Sequence, residues 1–180
     1  TYCIIPYTRG PIRSAPLETA VAQAKQLEQA GYREIVVTGI EIAGWGKDLP
    51  GKPPVWLLIA EICKAVPHLR IRLGSLEPRI VTEEFAAALS GFQNLCPQFH
   101  LSLQSGCTAT LRRMRRVYSA EQYAQVVDQI RAAYGSRPVS FTTDCICGFP
   151  GETPEDFAES CDFLKKIGFL KVHVFPYSRR

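Results

Sequence analysis

Apolar residues recur along this chain in two alternating rhythms, and the alternation predicts a fold. From Leu17 to Ala30 they fall at Leu17, Ala20, Val21, Ala24 and Leu27, the stripe of a helix with one buried face, and Gly31 stands where a C-terminal cap is needed. Glu34 to Gly39 then reads as a short buried strand. The unit repeats. A helix over 54–66 precedes a strand at 69–73, a helix over 82–90 precedes 99–103, a helix over 120–134 precedes 139–146, and a helix over 155–167 leads to 170–175. Before the last of these helices, Thr153 has the chemistry of an N-cap and Pro154 suits the first helical position. Five short strands alternating with five helices predict an α/β fold with parallel pairing and helices packed outside. Polar and glycine residues gather at the strand ends, at Thr38-Gly39, Ser75 to Pro78, Gln104 to Gly106, Gly148 to Glu152 and from Tyr177 onward. In parallel α/β folds that carboxyl edge is where ligands bind.

Length and composition narrow this further. A chain of 180 residues with 46% hydrophobic content buries one core, and no low-complexity tract or long linker interrupts it, so residues 1–180 are read as one domain. Gly44 to Pro54 is the only extended Gly/Pro-rich loop. A net charge of +4 permits a polyanionic partner without demanding one. Seven cysteines with no framework spacing argue against a disulfide scaffold. No run of about eighteen apolar residues is present and the first residues do not read as a signal peptide, so a cytoplasmic location with no membrane partner is expected.

The chemistry is concentrated in short motifs. Tyr2-Cys3-Ile4-Ile5-Pro6 with Arg9-Gly10 opens the chain. Thr38-Gly39-Ile40-Glu41, Arg72 to Pro78, His100 to Cys107, Leu111 to Tyr118 and Thr143 to Thr153 follow in order at successive strand ends. Together these segments resemble the radical S-adenosylmethionine (SAM) methylthiotransferases over nearly the whole chain. The resemblance implies a partial parallel (β/α)6 barrel lacking its first strand. Cys3 then corresponds to the third cysteine of a C-x3-C-x2-C loop holding a 4Fe-4S cluster, the two upstream ligands being absent from this sequence. One thiolate cannot hold a cubane.

The resemblance also implies a set of SAM contacts. Thr38 and Gly39 would present backbone to the methionine amino group, and Glu77 would accept hydrogen bonds from the amino or ribose groups. Arg116 suits the methionine carboxylate, Gln104 and Asp144 suit ribose hydroxyls, and Ile146 lies where backbone packs on adenine. Tyr2, beside Cys3, belongs to the same set. Taken singly, Thr38-Gly39 is equally a tight turn, Glu77 a solvated residue before Pro78, Gln104 a strand-end amide and Asp144 a capping carboxylate. Arg9, Arg13, Arg112, Arg113 and Arg115 form a basic rim suited to RNA phosphates, with Arg179 and Arg180 extending it, although a solvated helix face accounts for the 112–116 cluster equally well. Cys145 and Cys147 share a strand face and read as buried thiols.

Within the family, Leu101 to Cys107 and Thr143-Asp144 resemble the branch acting on threonylcarbamoyladenosine beside the tRNA anticodon, ahead of the isopentenyladenosine branch and of a ribosomal-protein branch. tRNA and a reductant protein are the implied partners. The family also carries an N-terminal domain with a second 4Fe-4S cluster and a C-terminal RNA-gripping barrel, neither of which this sequence contains, so the fragment alone is expected to be inactive. One alternative is a catalytically empty β/α domain that binds a nucleotide. Another is a conventional acid-base barrel enzyme, which needs a convergent pair that His68, His100 and His173 do not form in sequence.

Overall fold

In a computed structural model, which describes residues 4–178, the predicted alternation is realised strand by strand. After a short helix α1 (Ile5–Arg9), helix α2 (Leu17–Gln29) leads to β1 (Glu34–Val37), α3 (Val55–Ala65) to β2 (Arg70–Leu73), and α4 (Glu83–Ser90) to β3 (Gln98–His100). A short helix α5 (Thr108–Arg113) precedes α6 (Ala120–Tyr134) and β4 (Ser140–Cys147), and α7 (Pro154–Ile167) leads to β5 (Lys171–Pro176). The helix ends follow their local chemistry. Gly31, at φ +87°, closes α2 with the N–H of Tyr32 on the Leu27 carbonyl at 3.2 Å and its own N–H on the Glu28 carbonyl at 3.0 Å. Thr153 caps α7 through the Asp156 N–H at 3.2 Å, with Pro154 in the first turn as expected.

Among the described residues every strand pair is parallel. β1 pairs with β2, and β3 with β4 and β4 with β5. Isolated bridges at Ile71–Leu95 and Leu76–Leu101, formed by residues in or flanking β2 and β3, link the two-stranded and three-stranded sheets edge to edge, so the strands follow one another in chain order. The arrangement is an open portion of a β/α barrel, with its helices on one face. Ile71, Leu73, Phe99, Leu101 and Phe141 point to that face and are fully buried among Ile59, Phe85, Leu89, Tyr123, Val127 and Ile130. The intervening residues, Arg72, Gln98, His100, Thr142 and Asp144, occupy the opposite face and keep partial exposure. Strand alternation thus separates an apolar convex side from a polar concave side.

One strand departs from expectation. β3 was expected over 99–103, but its regular ladder ends at His100. From His100 to Gln104 is four steps, while the residues paired with them, Thr142 and Cys145, are three steps apart, so the chain carries one extra residue as a bulge. Side chains satisfy the displaced backbone. The buried Thr143 hydroxyl donates to the Leu101 carbonyl at 2.5 Å and accepts from the Leu103 N–H at 2.9 Å. Tyr123 Oη donates to the Leu101 carbonyl at 2.9 Å, and Tyr118 Oη to the Ser102 carbonyl at 2.7 Å. Beyond the bulge, Gly106 lets α7 approach, since a Cβ there would lie 2.7 Å from the Ser160 carbonyl oxygen and 2.8 Å from Phe163 Cβ.

Thr143→Val keeps shape and removes the hydroxyl, leaving the buried Leu103 N–H without its acceptor. It is expected to destabilise the fold by about 1–3 kcal/mol in chemical denaturation, with an unchanged slope. An effect within error would show that the bulge is held by packing alone.

Candidate functional site

The bulge delivers Gln104 to the carboxyl edge in a left-handed conformation, φ +73°, which is unusual for any residue other than glycine. Both of its backbone groups bind β4. Its N–H donates to the Asp144 carbonyl at 2.9 Å and its carbonyl accepts from the Ile146 N–H at 2.8 Å. Gln104 is nearly buried, and Asp144 and Ile146 stand beside it, half-buried on the concave side. The Asp144 carboxylate faces His100 Nε2 at 3.2 Å. Just past β4, Gly148 (φ +73°) and Gly151 (φ +81°) turn the chain into α7, and Glu152 Oε2 accepts from the Gly148 N–H at 2.5 Å.

A cavity of about 400 Å³ is lined by Glu41, Ser102, Glu77, Arg115 and Arg116, among others, with Ser102 on the bulged segment two residues before Gln104. Glu77 is half-buried and receives Arg79 Nε at 2.6 Å. Arg115 and Arg116 reach the cavity through the end of α5. Arg116 N–H donates to the Leu111 carbonyl and Arg115 N–H to the Arg112 carbonyl, both at 2.9 Å, the capping pattern that normally carries glycine. Here Arg115 occupies the left-handed position at φ +56°. Among the described residues only Lys52, Gln104 and Arg115 are non-glycine with positive φ, and two of these three are expected site residues. Strain of this kind gathers where a side chain must be aimed.

Thr38 and Gly39 lie on a second, larger cavity of about 650 Å³ along β1, together with Arg9 and Arg13, and the two cavities share Ile5, Ile40, Glu41 and Ile42. Gly74 makes room for Thr38, because a Cβ at Gly74 would lie 2.9 Å from Thr38 Cβ. The loop beside this cavity is clamped to the chain before α2, with Ser14 Oγ donating to Asp48 Oδ1 at 2.5 Å and Trp45 Nε1 to the Ala15 carbonyl at 2.9 Å.

Other expected residues fare differently. Arg9, Arg13, Arg112 and Arg115 are exposed. Arg113 is drawn away from the rim, since its guanidinium pairs with Asp156 on α7 and donates to Thr110 Oγ1 at 2.8 Å. Tyr2, Cys3, Arg179 and Arg180 lie outside the described residues. Burial pushes the Cys63 and Cys145 thiols up to about 12 and raises Cys107 and Cys147 as well, which disfavours the thiolate form that these four would need as cluster ligands. Cys107, Asp156 and Glu159 place donor atoms within 4.8 Å of one another, but Asp156 is already engaged by Arg113 and by the Thr153 cap, and one thiol among two carboxylates is not a cubane ligand set. Among the described residues no helix is long and apolar enough to cross a membrane.

Sequence reasoning missed a row of polar side chains across the concave face. Arg72 Nε donates to Glu34 Oε1 at 2.9 Å and Arg72 Nη1 to Gln98 Oε1 at 3.1 Å, Gln98 Nε2 donates to Thr142 Oγ1 at 3.0 Å, and Thr142 Oγ1 lies 3.0 Å from His100 Nδ1. The available signal was the alternation Arg-Ile-Arg-Leu on β2 and Gln-Phe-His-Leu on β3, which assigns every second side chain to a polar face.

Residues 1–164 match the Radical SAM superfamily. The chain belongs to the radical SAM superfamily. The cofactors of that superfamily are SAM and a 4Fe-4S cluster, and the residue types present suit the first of these, since the carboxyl edge carries the Gln104 amide and the Asp144 carboxylate and the smaller cavity is lined by the Glu77 carboxylate and the Arg116 guanidinium. Over the full chain it is 40% identical to the threonylcarbamoyladenosine tRNA methylthiotransferase MtaB of Bacillus subtilis and 39% identical to the tRNA-2-methylthio-N(6)-dimethylallyladenosine synthase of Carboxydothermus hydrogenoformans. The chain spans about 40% of the length of each of these curated relatives. Among solved structures, the radical SAM methyltransferase TsrM from Kitasatospora setae superposes with a TM-score of 0.70 at 17% identity, over 92% of this chain and 31% of that one. Coproporphyrinogen III oxidase from Escherichia coli gives 0.64 at 16% identity, over 91% and 37%. These two likenesses establish the fold of a radical SAM domain.

Arg115→Gly removes a side chain from an unfavourable backbone conformation. It is expected to raise the unfolding free energy by about 1 kcal/mol, read as a higher denaturation midpoint. A lower midpoint would show that the side chain contributes more through its contacts than its backbone costs.

Proposed function

We propose that this chain is the SAM-binding core of a tRNA methylthiotransferase that acts on threonylcarbamoyladenosine next to the anticodon. The observation that carries the reading is the bulge after β3, which brings Gln104, Asp144 and Ile146 into one group at the carboxyl edge, while Ser102 of the same segment lines the cavity that holds Glu77 and Arg116. SAM and a 4Fe-4S cluster supply the radical chemistry when bound, and the protein's part is to bind, orient and shield. Cys3, with Tyr2 beside it, would ligate one iron. Arg116 would hold the methionine carboxylate, Glu77 and the backbone at Thr38-Gly39 would receive the amino group, and Asp144 and Gln104 would hold the ribose with adenine against Ile146. Arg9 and Arg13 on the larger cavity, Arg115 on the smaller one and the exposed Arg112 on the same segment as Arg115 would bind tRNA phosphates and position the base without choosing its sequence.

The threonylcarbamoyladenosine assignment is supported by relatives of that name and by the wording of Leu101 to Cys107 and Thr143-Asp144. Dimethylallyladenosine is the second reading, favoured by the comparable 39% identity to the Carboxydothermus relative. In the longer protein a second 4Fe-4S cluster, an RNA-gripping domain, a protein reductant and a cytoplasmic setting would complete the enzyme.

The test is anaerobic iron-sulfur reconstitution of this chain beside a form extended upstream through a C-x3-C-x2-C loop, followed by assay of 5′-deoxyadenosine and of methylthiolation on tRNAs bearing either modified adenosine. Iron uptake and 5′-deoxyadenosine only in the extended form, with methylthio product only on threonylcarbamoyladenosine tRNA, is the expected result. Product only on dimethylallyladenosine tRNA would favour the second reading. Neither iron nor SAM cleavage in either form would leave a nucleotide-binding β/α domain.

A further inference from the structure

The polar row on the concave face has a direction, and the direction follows from what each group can do. Arg72 is a donor only, so the Gln98 atom 3.1 Å from Arg72 Nη1 is the carbonyl Oε1, and the amide Nε2 is turned toward Thr142. Arg72 is itself held by Glu34, which receives its Nε at 2.9 Å and Nη2 at 3.4 Å. Thr142 Oγ1 therefore accepts the Gln98 N–H at 3.0 Å, which leaves its one proton free to be given to the other neighbour, His100 Nδ1 at 3.0 Å, although a second lone pair on the oxygen could instead receive an Nδ1–H. A ring nitrogen that accepts carries no proton. Of the two arrangements, the one with the proton on Nε2 also gives the Asp144 carboxylate a donor, since Nε2 faces Asp144 Oδ2 at 3.2 Å. The His173 ring, 6.0 Å from His100 between centroids and tilted by 51°, flanks the imidazole.

We propose that Arg72, Gln98 and Thr142 form a one-directional hydrogen-bond relay that holds His100 in its neutral Nε2–H tautomer and makes His100 the positioning residue for the Asp144 carboxylate. The row spans β2, β3 and β4, so the carboxylate at the ligand edge is aimed by an ion pair two strands away. The positioning role rests on the reading of Asp144 as a SAM contact. The tautomer does not.

The chain has three histidines, which makes ¹⁵N-histidine spectroscopy decisive. Spectra are recorded at about pH 8, above the ordinary imidazole range, and assigned by replacing His68 and His173 with glutamine in turn. His100 is expected to show a protonated Nε2 and an unprotonated Nδ1. Gln98→Glu keeps an acceptor for Arg72 but presents a second acceptor to Thr142, so the hydroxyl turns away from the ring and the proton moves to Nδ1. Thr142→Val deletes the relay step and is expected to give a mixture of tautomers, with circular dichroism reporting that each variant is folded. An Nδ1–H or evenly mixed wild-type ring overturns the relay, as does a tautomer unmoved by both variants.

In the cluster-loaded, upstream-extended enzyme, His100→Phe is expected to weaken SAM binding about tenfold by equilibrium titration. Unchanged affinity with Asp144→Asn still weakening SAM overturns the positioning role alone. Unchanged affinity in both variants instead places the failure in the reading of Asp144 as a SAM contact.

Discussion

Between His100 and Gln104 the chain takes one more step than the strand it pairs with, and the carboxyl edge is built on that mismatch. A regular parallel ladder would carry Leu101 to Gln104 along β4 in strict alternation. The extra residue breaks the alternation, turns Gln104 into a left-handed conformation and binds both its backbone groups across Cys145 to Asp144 and Ile146. Thr143, Tyr118 and Tyr123 make the distortion tolerable by supplying hydrogen bonds that the ladder no longer provides. All three side chains are buried, so losing a partner there cannot be offset by water.

The same division of labour recurs around the edge. Helix-facing residues set how close the elements lie, as Gly106 does for α7, while concave-facing residues carry polarity. Asp156 links two local tasks, closing the Thr153 cap and holding Arg113, and both interactions depress its carboxyl below the ordinary range. Its ionised form therefore favours the folded state at neutral pH, and that contribution is lost as pH falls through its folded value. Arg113 is thereby committed to an ion pair with α7, whereas the Arg112 and Arg115 side chains, on the same short segment, are exposed.

Much of the fold was legible in the sequence because parallel strands and amphipathic helices have distinct periods. The boundaries of α6 and α7 follow from their caps, and the α2 end follows from Gly31. The extent of β3 was not legible. Nothing in Phe99-His100-Leu101-Ser102-Leu103 marks a bulge, since the groups that stabilise it, Thr143, Tyr118 and Tyr123, lie from about fifteen to forty residues further on. The residue types of the proposed site came from family resemblance, and their connections were not legible in the sequence. Glu77 was expected as a ligand group and is also a partner of Arg79, and Arg113 was expected on the rim and faces α7. His100, dismissed in sequence as an in-strand residue, proves to contact Asp144, a relation only cross-strand register could reveal.

The central claim is that SAM is held where Gln104, Asp144 and Ile146 converge. An anaerobic crystal structure of the cluster-loaded, upstream-extended enzyme with SAM tests it directly. The account predicts ribose hydroxyls within hydrogen-bond distance of Gln104 or Asp144 and adenine against the backbone at Ile146. SAM bound only in the larger cavity along β1, away from all three residues, would contradict it.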